Sequence, residues 1–436
     1  MPETRPQAGP GAMPDHPLRQ ALAWEVHARP YEVVSAPVRV SHIAVMLEDG
    51  VSGAGMALDH LHRLLDSCGV PPPRAGATHA SRDLGGGLRL RWEQHTEFAS
   101  FTFYLFAPLT EDPFAETALS RVPADWLRDL PGQVLVAVHA AVLPGDAVPD
   151  LPALFAGHLV TGARIGGGAA SAWSDFHLHG DGFARILMTA GELTPGQIGR
   201  HLQRLLEIET YRMKALLALP IARDLGGTLS RLEHSTAALS ARMAGPLKEG
   251  EDREVLSALT TVAAEVEWLM AEHSYRFGAA RAYAEIVSRC LLDLRQDRLP
   301  GLQTLTEFMD RRFSPAMRTV EAMANRADAL GRRVARASDL LRTRVDIALE
   351  ENNRDLLRSM NRRAQLQLRL QETVEGLSVV AISYYAWGLI GYLLKGGKAA
   401  GLPLDPDITA LVAIPAVVLA VAYGLRRMKR HLHGPE

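Results

Sequence analysis

Between Pro315 and Pro403 the chain contains no proline, and this interval includes a run with no charged residue, Leu377 to Leu394 (LSVVAISYYAWGLIGYLL). Such a stretch is driven toward one very long helix, because nothing in it breaks the backbone ladder and its apolar part favours a non-aqueous environment. A second uncharged run, Ile408 to Leu425 (ITALVAIPAVVLAVAYGL), follows a short connection carrying Gly396, Gly397, Gly401, Pro403 and Pro406 as turn formers. At ~1.5 Å per residue each run is about 27 Å long, close to the ~30 Å hydrocarbon core of a bilayer. The two read as a transmembrane hairpin with spans 377–394 and 408–425. A buried hairpin in a soluble core is the competing reading, and the pair of equal uncharged runs favours the bilayer.

The flanking cations set an orientation. Arg358, Arg362, Arg363 and Arg369 precede the first run and Arg426, Arg427, Lys429 and Arg430 follow the second, whereas the connection holds only Lys395 and Lys398. By the positive-inside rule both termini are cytoplasmic. Residues 1–17 are rich in Pro and Gly and lack the apolar core of a signal peptide. The expectation is a multi-pass protein of the bacterial inner (cytoplasmic) membrane. Cys68 and Cys290 are too few for a disulfide framework and suit a reducing compartment.

Residues 194–376 are poor in glycine and rich in Leu, Ala, Arg and Glu, the composition of a helical stalk or coiled coil. Thr194-Pro195-Gly196-Gln197 carries a cap, a first-turn proline and a glutamine three positions after the cap, so a helix starts there. Breaks are expected near Pro220, at Gly245-Pro246 and Gly250, and at Pro300-Gly301, with a restart at Ser314-Pro315. In the last helix Leu330, Val334, Ala337, Leu341, Val345, Ala348, Leu356 and Met360 form an apolar stripe that includes spacings of about 11, those of a nearly straight bundle. Asn352 interrupts the stripe, either as a buried register-setting residue or as a solvated break.

Residues 18–193 read as an α/β domain. Val38–Leu47, Leu88–Gln94, Phe98–Phe106 and Val134–Val142 are expected strands, and Met56–Ser67 an expected helix. Phe176–His179 and Phe183–Thr189, joined by Gly180-Asp181-Gly182, read as a hairpin. Interleaved helices and strands imply a mixed, helix-covered sheet.

Most of the 16 histidines lie at or before His201. His177 and His179, two apart on an expected strand, would share a face and could ligate a metal; surface histidines on a hairpin are the alternative. Asp59, His62 and Asp66 fall on one helix face, most simply a solvated one. In Trp24–Tyr31, Glu25 and Arg29 are i,i+4 partners, and His27 with Arg29 could bind an anion or carboxylate; a salt-bridged helix end explains the same residues. Gly85-Gly86-Gly87 and Gly166-Gly167-Gly168 lack the residues of a phosphate loop, and no catalytic constellation is visible. Lys plus Arg total 47 against 49 Asp plus Glu, a net charge of −2 that argues against nucleic acid as a partner. In the first span Ser378, Ala381, Tyr385, Gly388 and Tyr392 recur at three and four residues. That stripe of small and polar groups would meet another helix or line a water path.

Glu25–Pro30, Ser174-Asp175-Phe176, Leu206–Arg212, Leu341–Val345 and above all Leu368–Tyr385 resemble segments of a bacterial family of uncharacterised membrane-anchored proteins, a domain of unknown function. In architecture the chain also resembles the CorA family of divalent-cation channels. That resemblance implies a cytoplasmic α/β domain, a stalk helix continuing into a pore-lining first span, a second span, a basic tail and a pentameric ring. CorA proteins carry Gly-Met-Asn at the outer end of the first span, where this chain has Gly391-Tyr392-Leu393.

The expected fold is thus an α+β membrane protein. It comprises an N-terminal tail (1–17), an α/β cytoplasmic domain (18–193), a helical stalk (194–376), a two-helix transmembrane hairpin (377–425) and a basic tail (426–436). The expected function is that of a CorA-like, homo-oligomeric divalent-cation channel in a lipid bilayer and not an enzyme, with no cofactor implied beyond a divalent cation. A membrane-tethered ligand-binding or scaffolding protein is the second expectation.

Overall fold

In a computed structural model, residues 16–25, 30–47, 51–74, 76–148, 150–245, 251–399 and 406–432 are described. The chain divides into two compact units, Met1–Ala337 and Ser338–Glu436.

The first unit is built on a nine-stranded sheet. Its strands are β1 (Val38–Met46), β2 (His79–Gly85), β3 (Leu88–Gln94), β4 (Phe98–Leu105), β5 (Gln133–Leu143), β6 (Thr161–Ile165), β7 (Ala170–Ser174), β8 (Ala184–Thr189) and β9 (Asp297–Arg298). They lie in the order β2-β3-β4-β1-β5-β8-β7-β6-β9, and every adjacent pair is antiparallel except β5 and β8. β1 and β4 are buried almost throughout, the polar Arg39, Ser41, His42, Ser100 and Thr102 included, because they are covered on both faces. On one face Val38, Val40 and Ala44 join Val136, Val138, Ile186 and Met188 beneath helix α5 (Pro195–Leu216). On the other, Ile43, Val45, Phe101 and Phe103 meet Leu61, Leu64 and Leu65 of helix α2 (Val51–Ser67). Trp126, on the short helix α3 (Ala124–Arg128), closes that side. Its ring stacks on His60 at 4.3 Å and its Nε1 donates to the His60 carbonyl at 2.9 Å. The sheet is therefore mixed and helix-covered. Asp59 and Asp66 are exposed on α2, as the polar-face reading expects.

The expected hairpin at 176–189 is different in the structure. The antiparallel neighbour of β8 is β7, and 175–183 is a loop, turned by Phe176 at φ 52° and Gly182 at φ 81°. His177 and His179 are therefore not paired on a strand face. Alternation of residue types imitates a strand here, but an Asp-led turn consumes the backbone groups that a ladder would need.

Helix α5 begins at the anticipated cap, where the Thr194 N–H donates to Gln197 Oε1 at 2.9 Å. It is followed by α6 (Ala218–Ala244), α7 (Glu251–Asp293) and α8 (Leu305–Ala399). Pro220 lies inside α6, and the break falls one turn earlier, at Leu217. Pro315 lies inside α8, which runs through Ser314 without restarting. On α7 the buried positions Val255, Leu259, Val262, Val266 and Leu269 alternate by four and three; on α8 Ala327, Leu330, Val334, Ala337 and Leu341 alternate by three and four. This is heptad packing, tied across helices by Arg326 to Glu233 of α6 at 2.7 Å. The stripe stays buried only as far as Leu341, and Leu356 and Met360 are 61% and 59% exposed.

Close approach at one glycine yields a prediction. A Cβ on Gly199, in the first turns of α5, would lie 1.7 Å from the Glu32 carbonyl oxygen, whereas one on Gly226 in α6 meets nothing within 4 Å. Gly199→Ala is expected to lower stability by about 1–3 kcal/mol through overpacking. Gly226→Ala is expected to raise it by up to about 1 kcal/mol through helix propensity. Thermal melts of the two variants should move in opposite directions.

The second unit contains the rest of α8 and helix α9 (Pro406–Leu432). One helix among the described residues, α8, is long and apolar enough to cross a membrane, and its apolar stretch is 6% buried. Gly396 and Gly397, expected in a turn, are inside α8. Gly401 and Pro403 lie outside the described residues.

Candidate functional site

The densest grouping of metal-ligating side chains sits where two loops of the first unit meet. Helix α4 (Leu151–Leu154) ends in Ala156 and Gly157, both at positive φ, which turn the chain so that His158 faces the loop after β7. In that loop Asp175 is followed by Phe176, also at positive φ. The Ser174 hydroxyl donates to the Arg185 carbonyl at 2.9 Å and accepts from the Phe176 N–H at 3.2 Å. The His177 N–H donates to Asp175 Oδ1 at 3.2 Å. These bonds leave Oδ2 facing two imidazoles, His158 Nδ1 at 2.7 Å and His179 Nε2 at 2.9 Å. The three ligand atoms lie within 4.8 Å of one another. Beneath them Leu154, Phe155, Trp173 and Leu187 form a dry floor.

The Asp175 side chain is 0% exposed and that of His158 is 37% exposed, so the group opens to solvent on the His158 side. Burial pushes His179 below the ordinary histidine value, against the pull of the Asp175 carboxylate. His179 therefore donates as a neutral imidazole at neutral pH. A carboxylate oxygen with two imidazole nitrogens is a donor set that can hold a cation.

Of the two histidines singled out from sequence, His179 belongs to this grouping directly. His177 sits at its rim, with its ring 4.9 Å from that of His158 and its Nδ1 bonded to the Asp175 carbonyl at 2.8 Å. Sequence reasoning missed His158 and Asp175, which lie on different segments and carry no spacing signature. The Ser174-Asp175-Phe176 triplet was noted only as part of a resemblance. His27 and Arg29 lie outside the described residues, and Glu25 is the last residue of helix α1 (Arg19–Glu25). In the second unit Ala381, Tyr385, Gly388 and Tyr392 are exposed along α8, and the Ser378 hydroxyl is bonded back to the Val374 carbonyl at 2.8 Å.

A second polar recess, about 190 Å³, lies between the sheet and α5 and was not foreseen. Here the Thr210 hydroxyl donates to the Leu206 carbonyl, so it accepts from His42 Nε2–H at 3.0 Å, and Thr102 Oγ1 donates to His42 Nδ1 at 2.8 Å. Both ring nitrogens are satisfied in the neutral state, and burial lowers the His42 pKa to about 4. Arg91 pairs with Glu93 at 2.9 Å and donates to Gln203 at 3.2 Å. This closed network is best explained as a polar layer that registers α5 on the sheet.

Neither the curated proteins nor the solved structures contain a match to this chain. A family model does match, over residues 14–432, and its description is a protein of unknown function (DUF3422). With nearly the whole chain covered, from the N-terminal sheet through α9, the protein belongs to that family.

Proposed function

We propose that this protein is a membrane-anchored homo-oligomer of CorA-like build that conducts a divalent cation along a path lined by α8, with both termini cytoplasmic. The observation that carries this reading is α8 itself. One helix supplies Leu305, Met309 and Phe313 to the core of the first unit and also bears an apolar window that is 6% buried. A soluble core helix of that composition would be mostly covered by protein, so the bare window is better suited to lipid or to other copies. Supporting it, Leu411, Val412 and Leu419 of α9 are also exposed, and cations flank both apolar runs. The hairpin pairing of the two helices is part of this proposal.

The stripe Ser378, Ala381, Tyr385, Gly388 and Tyr392 would line the path. Its exposed small and hydroxyl-bearing residues are the groups a water-filled route between copies needs. Tyr392 and Leu393 stand where CorA proteins carry Met-Asn, so selection of a hydrated magnesium ion by that asparagine is not part of the proposal. A second reading, a tethered ligand-binding protein whose spans only anchor it, is favoured by one observation, the buried histidine–carboxylate group in the first unit.

Size measurement on full-length protein in detergent separates the two. A closed ring of several copies that passes divalent cations into liposomes, with flux reduced by Gly388→Leu, is the expected result. A monomer leaves no wall for a pore and refutes conduction.

A further inference from the structure

Asp175 has an unusual set of partners. The other carboxylates buried in the first unit meet a fixed cation: Glu97 meets Lys214 and Arg276, and Glu209 meets Arg212. Asp175, with 0% of its side chain exposed, has His158 and His179 as its only side-chain partners of ion-pair type among the described residues, its Oδ1 accepting from the His177 N–H, and no lysine or arginine lies within ion-pair distance. A carboxylate taken wholly out of water without a permanent countercharge is costly. The backbone is bent to produce this arrangement. Among the described residues three non-glycine positions have positive φ, and two of them, Ala156 and Phe176, lie in the loops that deliver His158 and Asp175. Left-handed backbone at a residue with a Cβ is strained, and strain of this kind gathers at ligand sites.

We propose that His158 Nδ1, His179 Nε2 and Asp175 Oδ2 form a binding site for a divalent first-row transition cation such as Zn²⁺. A coordination position would remain open on the side of His177 and solvent. Bonds of ~2.1 Å at tetrahedral to right angles place ligand atoms about 3.0–3.4 Å apart, so the 2.7 and 2.9 Å contacts need to open by only a few tenths of an ångström. Without metal these two nitrogens carry the protons that Asp175 accepts; on coordination each imidazole would present that nitrogen deprotonated and keep its proton on the other ring nitrogen. Two imidazoles with one carboxylate suit zinc, iron, cobalt or nickel; magnesium and calcium prefer all-oxygen shells. The Asp175 Oδ1 contact to the His177 N–H then orients the carboxylate, as outer-shell bonds do in metal sites. The assignment is independent of whether the spans conduct: a monomeric, non-conducting protein would still bind the metal here.

The test uses full-length protein in detergent, stripped with chelator and dialysed. Zn²⁺ binding is followed by equilibrium dialysis and by the rise in melting temperature that a ligand of the folded state produces. Wild-type protein is expected to bind Zn²⁺ at this site and to melt higher with it, unchanged by millimolar Mg²⁺. His158→Ala should weaken binding at least about 100-fold, beyond the 10–100-fold typical of outer-shell changes, and abolish the thermal shift. Because His158 also hydrogen-bonds the buried Asp175, this variant is expected to melt somewhat lower without metal, so the readout is the metal-induced rise measured within each variant against its own metal-free melting temperature. His62→Ala, half-buried on α2 and outside this group, should bind as wild type. Equal Zn²⁺ affinity and equal thermal shift in wild type and His158→Ala, or no binding in either, overturns the assignment and leaves the group a hydrogen-bonded clamp between two loops.

Discussion

Glu97→Gln is expected to destabilise the first unit by about 3–5 kcal/mol, the cost of breaking a buried ion pair by removing one partner. Glu97 lies just before β4 and gathers three donors from two helices: Lys214 Nζ at 2.7 Å, Tyr283 Oη at 2.9 Å and Arg276 Nη2 at 2.9 Å. Lys214 on α5 is 0% exposed, and its ammonium lies 4.9 Å from the ring centre of Phe98 and 5.3 Å from that of Tyr283. Without the carboxylate, that ammonium would be buried with only ring faces, a thioether and a weakened amide contact. Burial works against both charges, but the carboxylate has three donors whereas the lysine has one carboxylate. Glu97 is therefore held down at about 2, while Lys214 falls below the ordinary lysine value.

The sign of the pH effect follows from the depressed carboxylate. Glu97 moves from its ordinary value of 4.5 to about 2 on folding, so its contribution is fully present above about pH 5 and is lost as pH falls toward 2. Denaturant melts of wild type and Glu97→Gln should differ most at neutral pH and converge toward pH 2. Adding Lys214→Met to Glu97→Gln should recover part of the loss, since it removes the stranded ammonium. A neutral Glu97→Gln, or a difference that grows in acid, would show that the cluster does not stabilise the fold.

On the proposed anchoring, ending the chain at Gly376 is expected to leave a protein that stays in the aqueous phase, a larger qualitative effect than any single substitution. Leu, Ile and Val contribute about −0.3 to −0.6 kcal/mol each near the centre of a span, so two apolar runs amount to several kcal/mol and near-complete partition. The removed residues include exposed Leu377, Val380, Leu389 and Leu393 on α8 and Leu411 and Leu419 on α9. The first unit keeps its own sheet and its three apolar clusters without them. Fractionation of cells expressing each form, with alkaline extraction of the membranes, measures the effect. A shortened chain that still sediments with membranes, or a full chain soluble without detergent, would contradict the anchored reading.

Legibility from sequence differed by element, for physical reasons. β1, β4 and β5 were found because they are rich in β-branched and aromatic residues, and β3 because Leu88, Leu90 and Trp92 alternate with polar residues, signals independent of neighbours. The start of α5 was found because a capping box is local chemistry. β6 and β7 were missed: each spans five residues, and Gly162, Ala163, Ala170 and Ala172 carry little hydrophobic signal. Gly162 stands where a Cβ would lie 2.2 Å from the Trp173 ring, so the residue that packing requires is one that argues against a strand by propensity. Of the α8 stripe, Leu330, Val334, Ala337 and Leu341 are buried, but in alternating steps of three and four instead of an 11-residue repeat, and Leu356 and Met360 are exposed. Periodicity states that a face is apolar; a partner must be present for it to be covered.

What sequence alone determined was set by local rules: the capped start of α5, the doubly covered strands, and the proline-free run after Pro315 that carries α8 unbroken to Ala399. The functional candidate came only with tertiary structure. Asp175 meets His158 and His179 because two left-handed turns fold two loops over one apolar floor, and Lys214 meets Glu97 across more than a hundred residues of chain. Such contacts depend on how distant segments pack, and periodicity along the chain carries no record of them.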